Sequence, residues 1–247
     1  MKSNKKMITK YVLIAGTSLM FSVGTLSVLT KIVTEAKTPD SNTSKNSDEL
    51  DSDEYDEKWT LLLVNEKNPV PEDYSVELTD LANGKQVDSR IYSDLQEMFD
   101  AARNTGLDLY VREGYRTREE QQNLMDERIQ AYENEGYTYK EAKKKTEEYV
   151  ALPGTSEHEL GISIDINANN EVCDDESVYT WLNENAYKYG FIKRYPENKT
   201  DITGINDEPW HYRYVGKKAA KEMKEKDLCL EEYVGSTSWI KSLLHTD

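Results

Sequence analysis

The sequence contains few of the residues that form covalent or metal-based cross-links. It has two cysteines and three histidines in 247 residues. Cys173 and Cys229 lie too far apart in the sequence to form a compact cysteine-based metal site. In an oxidising space they could form a disulfide, but pairing requires a specific geometry, so we expect two unpaired thiols.

Positive charge is also scarce in this chain. It has 31 lysines and arginines against 47 aspartates and glutamates, which gives a net charge of −16. Such a chain is repelled by the phosphates of nucleic acids and by anionic lipid. We therefore expect no nucleic-acid partner and no docking of the main domain onto a lipid surface. Most of the acidic residues should form a solvated face.

Charge is absent altogether from residues 11–30, and four lysines precede this segment. As a helix, these residues would be roughly 30 Å long, enough to cross the core of a bilayer. We predict a basic cytoplasmic segment (1–10) followed by an uncleaved transmembrane anchor (11–33), with cleavage after Ala36 as the alternative. In both cases the rest of the chain is exported, and the lysines of an anchor stay inside the cell.

Residues 34–58 are rich in serine, asparagine and acidic residues, and they contain few apolar side chains. Such a segment cannot bury enough surface to offset the entropy of ordering, so we predict a disordered acidic stalk. The remaining residues, 59–247, have the length of one ordinary domain. We expect this domain to have one core.

Hydrophobic periodicity and capping signals predict the elements of this domain. Helices are predicted to begin near Tyr92, Thr117, Thr138, Val178 and Lys217, the last ending near Lys226. Strands are predicted at residues 59–64, 107–112, 162–166, 191–195 and 209–214. No segment repeats. This mixture predicts an α+β fold, a single compact domain with a mainly antiparallel sheet flanked by helices.

Two candidate metal ligands lie at the predicted strand 162–166. Its isoleucines alternate with Ser163 and Asp165, so that the isoleucines face a core and Asp165 points to the other side. His158 lies a few residues earlier, after a Pro-Gly turn signal. The intervening loop can bring its imidazole back towards Asp165.

A third candidate lies in the predicted strand 209–214, which contains His211. Two histidines and one aspartate form a typical hydrolytic zinc set, because three protein ligands leave the fourth tetrahedral position for water. We therefore predict that His158, Asp165 and His211 bind Zn²⁺. Glu208, just before the strand, could accept the proton of that water.

Two sequence motifs contain these residues, and a third motif lies earlier in the chain. The pattern S-x-H-x-x-G-x-A-x-D is matched by Ser156, His158, Gly161 and Asp165; E-x-W-H-x-R by Glu208, Trp210, His211 and Arg213; and G-Y-R-S-x-x-x-Q by Gly114, Tyr115, Arg116 and Gln121. In these motifs the chain resembles the VanY-type zinc D-alanyl-D-alanine carboxypeptidases, over residues 61–234. Ser163 stands where the family usually has alanine and Thr117 where it has serine. Neither is a proposed ligand, although Ser163 could alter the packing under the site.

The resemblance implies a zinc metallocarboxypeptidase that hydrolyses the terminal D-alanine from peptidoglycan stem peptides, free or lipid-linked. The implied roles are zinc binding by His158, Asp165 and His211, general-base catalysis by Glu208, oxyanion stabilisation by Arg116, and substrate binding by Gln121 and Ser156. It also implies an α+β domain.

Two other functions remain open at this stage. One is an L,D-carboxypeptidase that trims tetrapeptide stems with the same metal set. The other is a non-catalytic wall-binding module, although binding alone does not need a base such as Glu208. In each case we expect a monomer at the cell membrane, a single-pass protein whose extracellular domain reaches wall precursors on its stalk. A role in glycopeptide resistance would follow from removal of D-alanine.

Overall fold

Two antiparallel sheets lie in the part of the chain that the computed structural model describes, residues 58–236. The smaller sheet is a hairpin of β1 (Leu78–Asp80) and β2 (Gln86–Asp88). The larger sheet has four strands, each antiparallel to its neighbours, in the spatial order β3-β4-β6-β5. These strands are β3 (Leu109–Glu113), β4 (Ser163–Ala168), β5 (Phe191–Lys193) and β6 (His211–Tyr214).

Seven α-helices and several 3-10 helices accompany the sheets in this part of the chain. The α-helices are α1 (Tyr92–Arg103), α2 (Arg118–Asn134), α3 (Tyr139–Glu147), α4 (Asp175–Asn185), α5 (Thr200–Thr203), α6 (Lys217–Lys226) and α7 (Leu230–Ser236). The predicted α+β class with a mainly antiparallel sheet is therefore confirmed. The prediction that the helix ending near Lys226 is the last one was wrong, because α7 follows α6.

The helices begin where local capping signals predict. Thr117 accepts a hydrogen bond from the backbone of Glu120, whose side chain bonds back to Thr117. The same capping box, formed by Thr138 and Glu141, opens α3. Each cap satisfies otherwise orphaned N–H groups and stabilises its helix by about 1 kcal/mol. The first cap also sets where α2 begins, immediately after Arg116.

The register of the central strands brings two of the motifs together. Asp165 in β4 is directly opposite His211 in β6. On the other side of β4, the pairing with β3 contains a bulge between Val111 and Glu113, which leaves Arg112 as the extra residue. Bulges re-aim side chains, and this one lies beside the same part of β4.

The hydrophobic residues form three buried clusters rather than the single core we expected. The main cluster joins the inner faces of β3, β4 and β6 to α1 and α4. A second cluster joins α6 and α7, and a third, small cluster lies between α2 and α3. The α2–α3 pair therefore packs mainly through its own contacts.

The predicted strand at residues 59–64 was also wrong. The chain instead forms a 3-10 helix at Lys58–Leu61. The carbonyl oxygens of Thr60 and Leu62 accept hydrogen bonds from the buried guanidinium of Arg213, each at 2.9 Å. Because a side chain satisfies these carbonyls, they do not pair with another strand. Cys173 and Cys229 are both free thiols, as expected.

The predicted anchor (11–33), all of the predicted stalk except Lys58, and His245 lie outside the described residues. Among the helices of residues 58–236, none combines the length and the apolar character that a membrane crossing requires.

Candidate metal centre

Three potential ligands converge at the centre of the large sheet. Asp165 lies on β4, His211 lies on β6, and His158 lies on a 3-10 helix at Glu157–Leu160. All three residues are buried, and one ligand atom from each lies within 4.8 Å of the others. Oδ1 of Asp165 is 2.9 Å from Nδ1 of His211 and 3.5 Å from Nε2 of His158. The structure thus brings together the three residues that the sequence predicted as ligands.

The chain between His158 and Asp165 turns sharply to make this possible. The 3-10 helix ends at Gly161, whose φ of 75° lies in the left-handed region that favours glycine. A Cβ at this position would be 3.2 Å from the backbone nitrogen of Asp88. Glycine at position 161 therefore allows the chain to turn into β4 and to pass close to β2.

The imidazole of His158 is oriented for metal binding. Nδ1 of His158 lies 2.8 Å from the carbonyl oxygen of Gly114, which can only accept a hydrogen bond. This nitrogen therefore carries the proton of a neutral ring, which leaves Nε2, 3.5 Å from Oδ1 of Asp165, able to bind a metal. Two neutral nitrogens and one carboxylate oxygen are ligands that zinc prefers, so the residues present fit this ion.

The ligands are strongly coupled by charge. Burial opposes the charged form of Asp165, but His158 and His211 hold the pKa of its carboxyl well below the usual range. Burial also opposes the protonation of His211, but its contacts with Asp165 and Glu157 raise the pKa of its ring to about 9. The negative surroundings that favour a proton on this ring also favour a cation, which would bind in place of that proton.

Glu208 lies at the edge of the cluster. Its Oε2 is 3.8 Å from Nδ1 of His211, and its side chain is buried. Burial raises the pKa of its carboxyl to about 7. A carboxylate with a pKa near neutrality can both accept and return a proton, which suits a general base. Glu208 precedes the strand, as predicted, but β6 begins at His211 rather than at Pro209.

Arg116, Gln121 and Ser156 line the same cleft, which has a volume of about 530 Å³. Nη1 of Arg116 donates to Oε1 of Gln121 at 2.7 Å, and Nη2 lies 3.2 Å from Glu113. The amide nitrogen of Gln121 donates to the carbonyl oxygen of Ala151. Gln121 thus holds Arg116 in place, with both ends of its amide engaged.

Ser156 precedes the 3-10 helix of His158 without capping it through its hydroxyl. Ser156 lines the cleft, where a hydroxyl that does not cap the helix can bind a molecule.

Several charged residues around the cluster were not predicted from the sequence. One is Arg112, the extra residue of the bulge, whose Nη2 is 3.4 Å from Oδ2 of Asp165. Glu157 and Arg194 are fully buried and form an ion pair at 2.8 Å. The position of Glu157 beside His158 was a visible signal, but no local pattern pointed to Arg194.

A buried cluster of two histidines and one carboxylate, with a further carboxylate beside it in an open cleft, defines a zinc-dependent metallohydrolase. The VanY family model, described as D-alanyl-D-alanine carboxypeptidase, matches residues 84–217, more than half of the chain. The chain is 50% identical over 201 residues to a D-alanyl-D-alanine carboxypeptidase of Enterococcus faecalis, covering 81% of this chain and 74% of that relative. It therefore belongs to the VanY family of D-alanyl-D-alanine carboxypeptidases.

Two solved structures resemble the fold closely. One is a variant of the vancomycin-resistance D,D-pentapeptidase VanY from the VanB-type cassette, in complex with Zn(II). It has a TM-score of 0.70 and 53% identity, covering 71% of this chain and 99% of that one. The other is VanYB in complex with D-alanine-D-alanine, with a TM-score of 0.72 and 52% identity, covering 73% and 99%.

Proposed function

We propose that this protein removes the terminal D-alanine from peptidoglycan stem peptides by zinc-dependent hydrolysis. The observation that carries the proposal is the triangle of His158, Asp165 and His211 with the buried base Glu208 beside it. Membership of the VanY family supports the substrate class. The lipid-linked precursor carries the same peptide terminus and is a second substrate of the same kind.

His158, Asp165 and His211 would hold the ion. When bound, zinc polarises the scissile carbonyl and makes water a better nucleophile at neutral pH. Glu208 takes the proton from the attacking water and then gives it to the leaving amine. The burial that raises its pKa makes both transfers accessible at neutral pH.

Arg116 stabilises the negative charge that develops on the carbonyl oxygen. A fixed cation is most effective when it need not reorganise during the reaction, and Gln121 and Glu113 hold the guanidinium in place. Ser156 offers a hydroxyl to the terminal carboxylate of the peptide. We assign to Gln121 both contact with the substrate and orientation of Arg116.

The direct test offers the full-length protein a pentapeptide stem and a tetrapeptide stem and follows released alanine by mass spectrometry. We expect alanine from the pentapeptide, abolished by a chelator and restored by zinc. Release mainly from the tetrapeptide would instead establish an L,D-carboxypeptidase. Binding of wall fragments without any release would make the protein a non-catalytic module.

We further propose that the enzyme acts outside the cell, held at the membrane as a monomer by the predicted anchor (11–33). The run of uncharged residues behind four lysines supports this location. Removal of D-alanine there would take away the target of glycopeptide antibiotics, so the enzyme contributes to resistance.

A further inference from the structure

A second buried glutamate, Glu157, lies near Nε2 of His211, whereas Glu208 lies near Nδ1. Oε1 of Glu157 is 2.8 Å from Nε of Arg194 and 2.9 Å from Nη1 of Arg213. Its Oε2 accepts a hydrogen bond of 3.0 Å from the hydroxyl of Ser163. The same Oε2 lies 3.9 Å from Nε2 of His211. Two arginines and a serine therefore fix this carboxylate against the histidine ring.

The outer nitrogen of His211 needs an acceptor. Nδ1 lies 2.9 Å from Oδ1 of Asp165, which can only accept a hydrogen bond. When a metal takes the place of the proton on Nδ1, a neutral ring must carry its remaining proton on Nε2. This atom is buried and makes no hydrogen bond within residues 58–236. An unsatisfied buried donor costs about 1–3 kcal/mol. Oε2 of Glu157 is an acceptor that needs to approach by only about 1 Å to form a normal hydrogen bond.

We propose that Glu157 is a positioning residue that accepts the Nε2 proton of His211 and thereby holds Nδ1 towards the zinc ion. Metal-bound histidines commonly donate their second nitrogen to a carboxylate, which fixes the tautomer and the ring orientation. Both arginines bind Oε1 of Glu157, which leaves Oε2 as the atom near the ring. The ring of Tyr195, whose centroid is 5.0 Å from that of His211, packs beside the imidazole.

Ser163 gives this chain an additional means of fixing the carboxylate. It stands where the family usually has alanine, and its hydroxyl binds the same oxygen that faces His211. Its backbone lies in β4, two residues before Asp165. A small change at this position therefore reaches the zinc site through Glu157.

A purely structural role for Glu157 must be separated from a role at the metal. Arg194 also binds Glu231 on α7, with contacts of 2.9 and 2.6 Å. Loss of either carboxylate weakens the hold on the same arginine, but only Glu157 touches His211. Glu231 thus provides a matched control.

The experiment compares Glu157→Asp with Glu231→Asp in the full-length protein. Both changes keep the charge and withdraw the carboxylate by one methylene. We expect Glu157→Asp to weaken zinc binding by about 10- to 100-fold, while Glu231→Asp stays within about twofold of the parent. Zinc affinity is measured by competition with a chromophoric chelator, and the melting temperature of each zinc-free protein reports the structural cost.

Unchanged zinc affinity in Glu157→Asp, or an equal loss in Glu231→Asp, would overturn the proposal. If Glu157→Asp does not fold, Ser163→Ala decides, because it removes only one hydrogen bond. We then expect a loss of zinc affinity of roughly threefold or more, and no change would overturn the proposal. The inference rests on the proposed function only for the identity of the metal. Zinc affinity is measured without peptide, so an enzyme inactive on both stems would leave this result intact.

Discussion

Besides Asp165, two glutamates lie within 4 Å of His211, and their surroundings give them opposite properties. Burial raises the pKa of Glu208 to about 7, so that this group can exchange a proton. Burial also opposes the charged form of Glu157, but Arg194 and Arg213 hold the pKa of its carboxyl below the usual range. Glu208 is therefore suited to proton transfer, whereas Glu157 is suited to remain a fixed anion.

The replacement Glu208→Gln tests the first of these roles. Glutamine keeps the size of the side chain but cannot accept the proton, so turnover should fall by about 10²- to 10⁴-fold. Zinc content and substrate affinity should be retained. The control is Asp207→Asn, since this neighbouring carboxylate pairs with Lys193 instead. Loss of zinc from Glu208→Gln would identify Glu208 as a ligand, and near-normal turnover would place the base elsewhere.

The replacement Arg116→Lys tests oxyanion stabilisation. Lysine keeps the charge but loses the planar group that contacts Gln121 and Glu113 together, so it is held less firmly. We expect kcat to fall by about 10²-fold with no change in zinc content, measured by steady-state kinetics and metal analysis. The control is Arg103→Lys, because Arg103 pairs with Asp100 on the surface. This variant should leave kcat and zinc content unchanged. Wild-type kcat in Arg116→Lys would exclude this role.

The ligand set is tested by His158→Ala, which removes one of the three donor atoms. Bound zinc in the purified protein should fall sharply, as measured by metal analysis. His245→Ala is the matched control, because His245 belongs to none of the motifs, and it should change neither zinc nor activity. A full equivalent of zinc in His158→Ala would remove this residue from the ligand set.

At the scale of elements, local signals were sufficient for the helices and insufficient for the first predicted strand. The capping boxes at Thr117 and Thr138 lie within four residues of sequence, and both helices begin where predicted. The apolar run at residues 59–64 has the composition of a strand. Its hydrogen-bonding partner is the guanidinium of Arg213, which lies about 150 residues away in the sequence. Contacts of this kind leave no periodic pattern in the sequence.

The site shows the same division. Its ligands could be predicted because histidine is rare in this chain and the strand alternation fixed the direction of Asp165. The buried ion pair of Glu157 and Arg194 spans 37 residues and became visible only in the structure. The bulge that displaces Arg112 was equally hidden, since it depends on the pairing of two distant strands.

The turn between His158 and Asp165 yields a prediction for the variant Gly161→Ala. A side chain in the left-handed region costs about 1–2 kcal/mol, and the added Cβ would also press against Asp88. Both stability to urea and zinc affinity should therefore fall. Gly84→Ala is the control, because Gly84 has a φ of 79° with open space around it. Gly84→Ala should lose stability but keep its zinc affinity. If Gly84→Ala lost as much zinc affinity as Gly161→Ala, the turn at Gly161 would have no special link to the site.

At the scale of the whole molecule, the acidic composition and the predicted anchor lead to a prediction about the location of the enzyme in the cell. A net charge of −16 disfavours contact with anionic lipid, so a stalk that keeps the domain away from the membrane suits this chain. Protease added to intact, wall-stripped cells should digest the domain, as detected by immunoblotting. A cytoplasmic protein serves as the control and should survive. Full protection of the domain would show that the predicted orientation is wrong.

The pairing of Asp165 with His211 across β4 and β6 has a consequence for the lifetime of the protein. If one strand slid by a single residue, His211 would face Ile164 or Ile166, and the two ligands would lie on opposite faces of the sheet. Zinc thus binds only the correctly paired strands, and an ion present at 100 times its dissociation constant stabilises them by about 2.7 kcal/mol. Metal starvation would therefore do more than silence the enzyme. It would also remove this stabilisation from the central strands, so the zinc-free protein should be degraded faster than the zinc-bound protein.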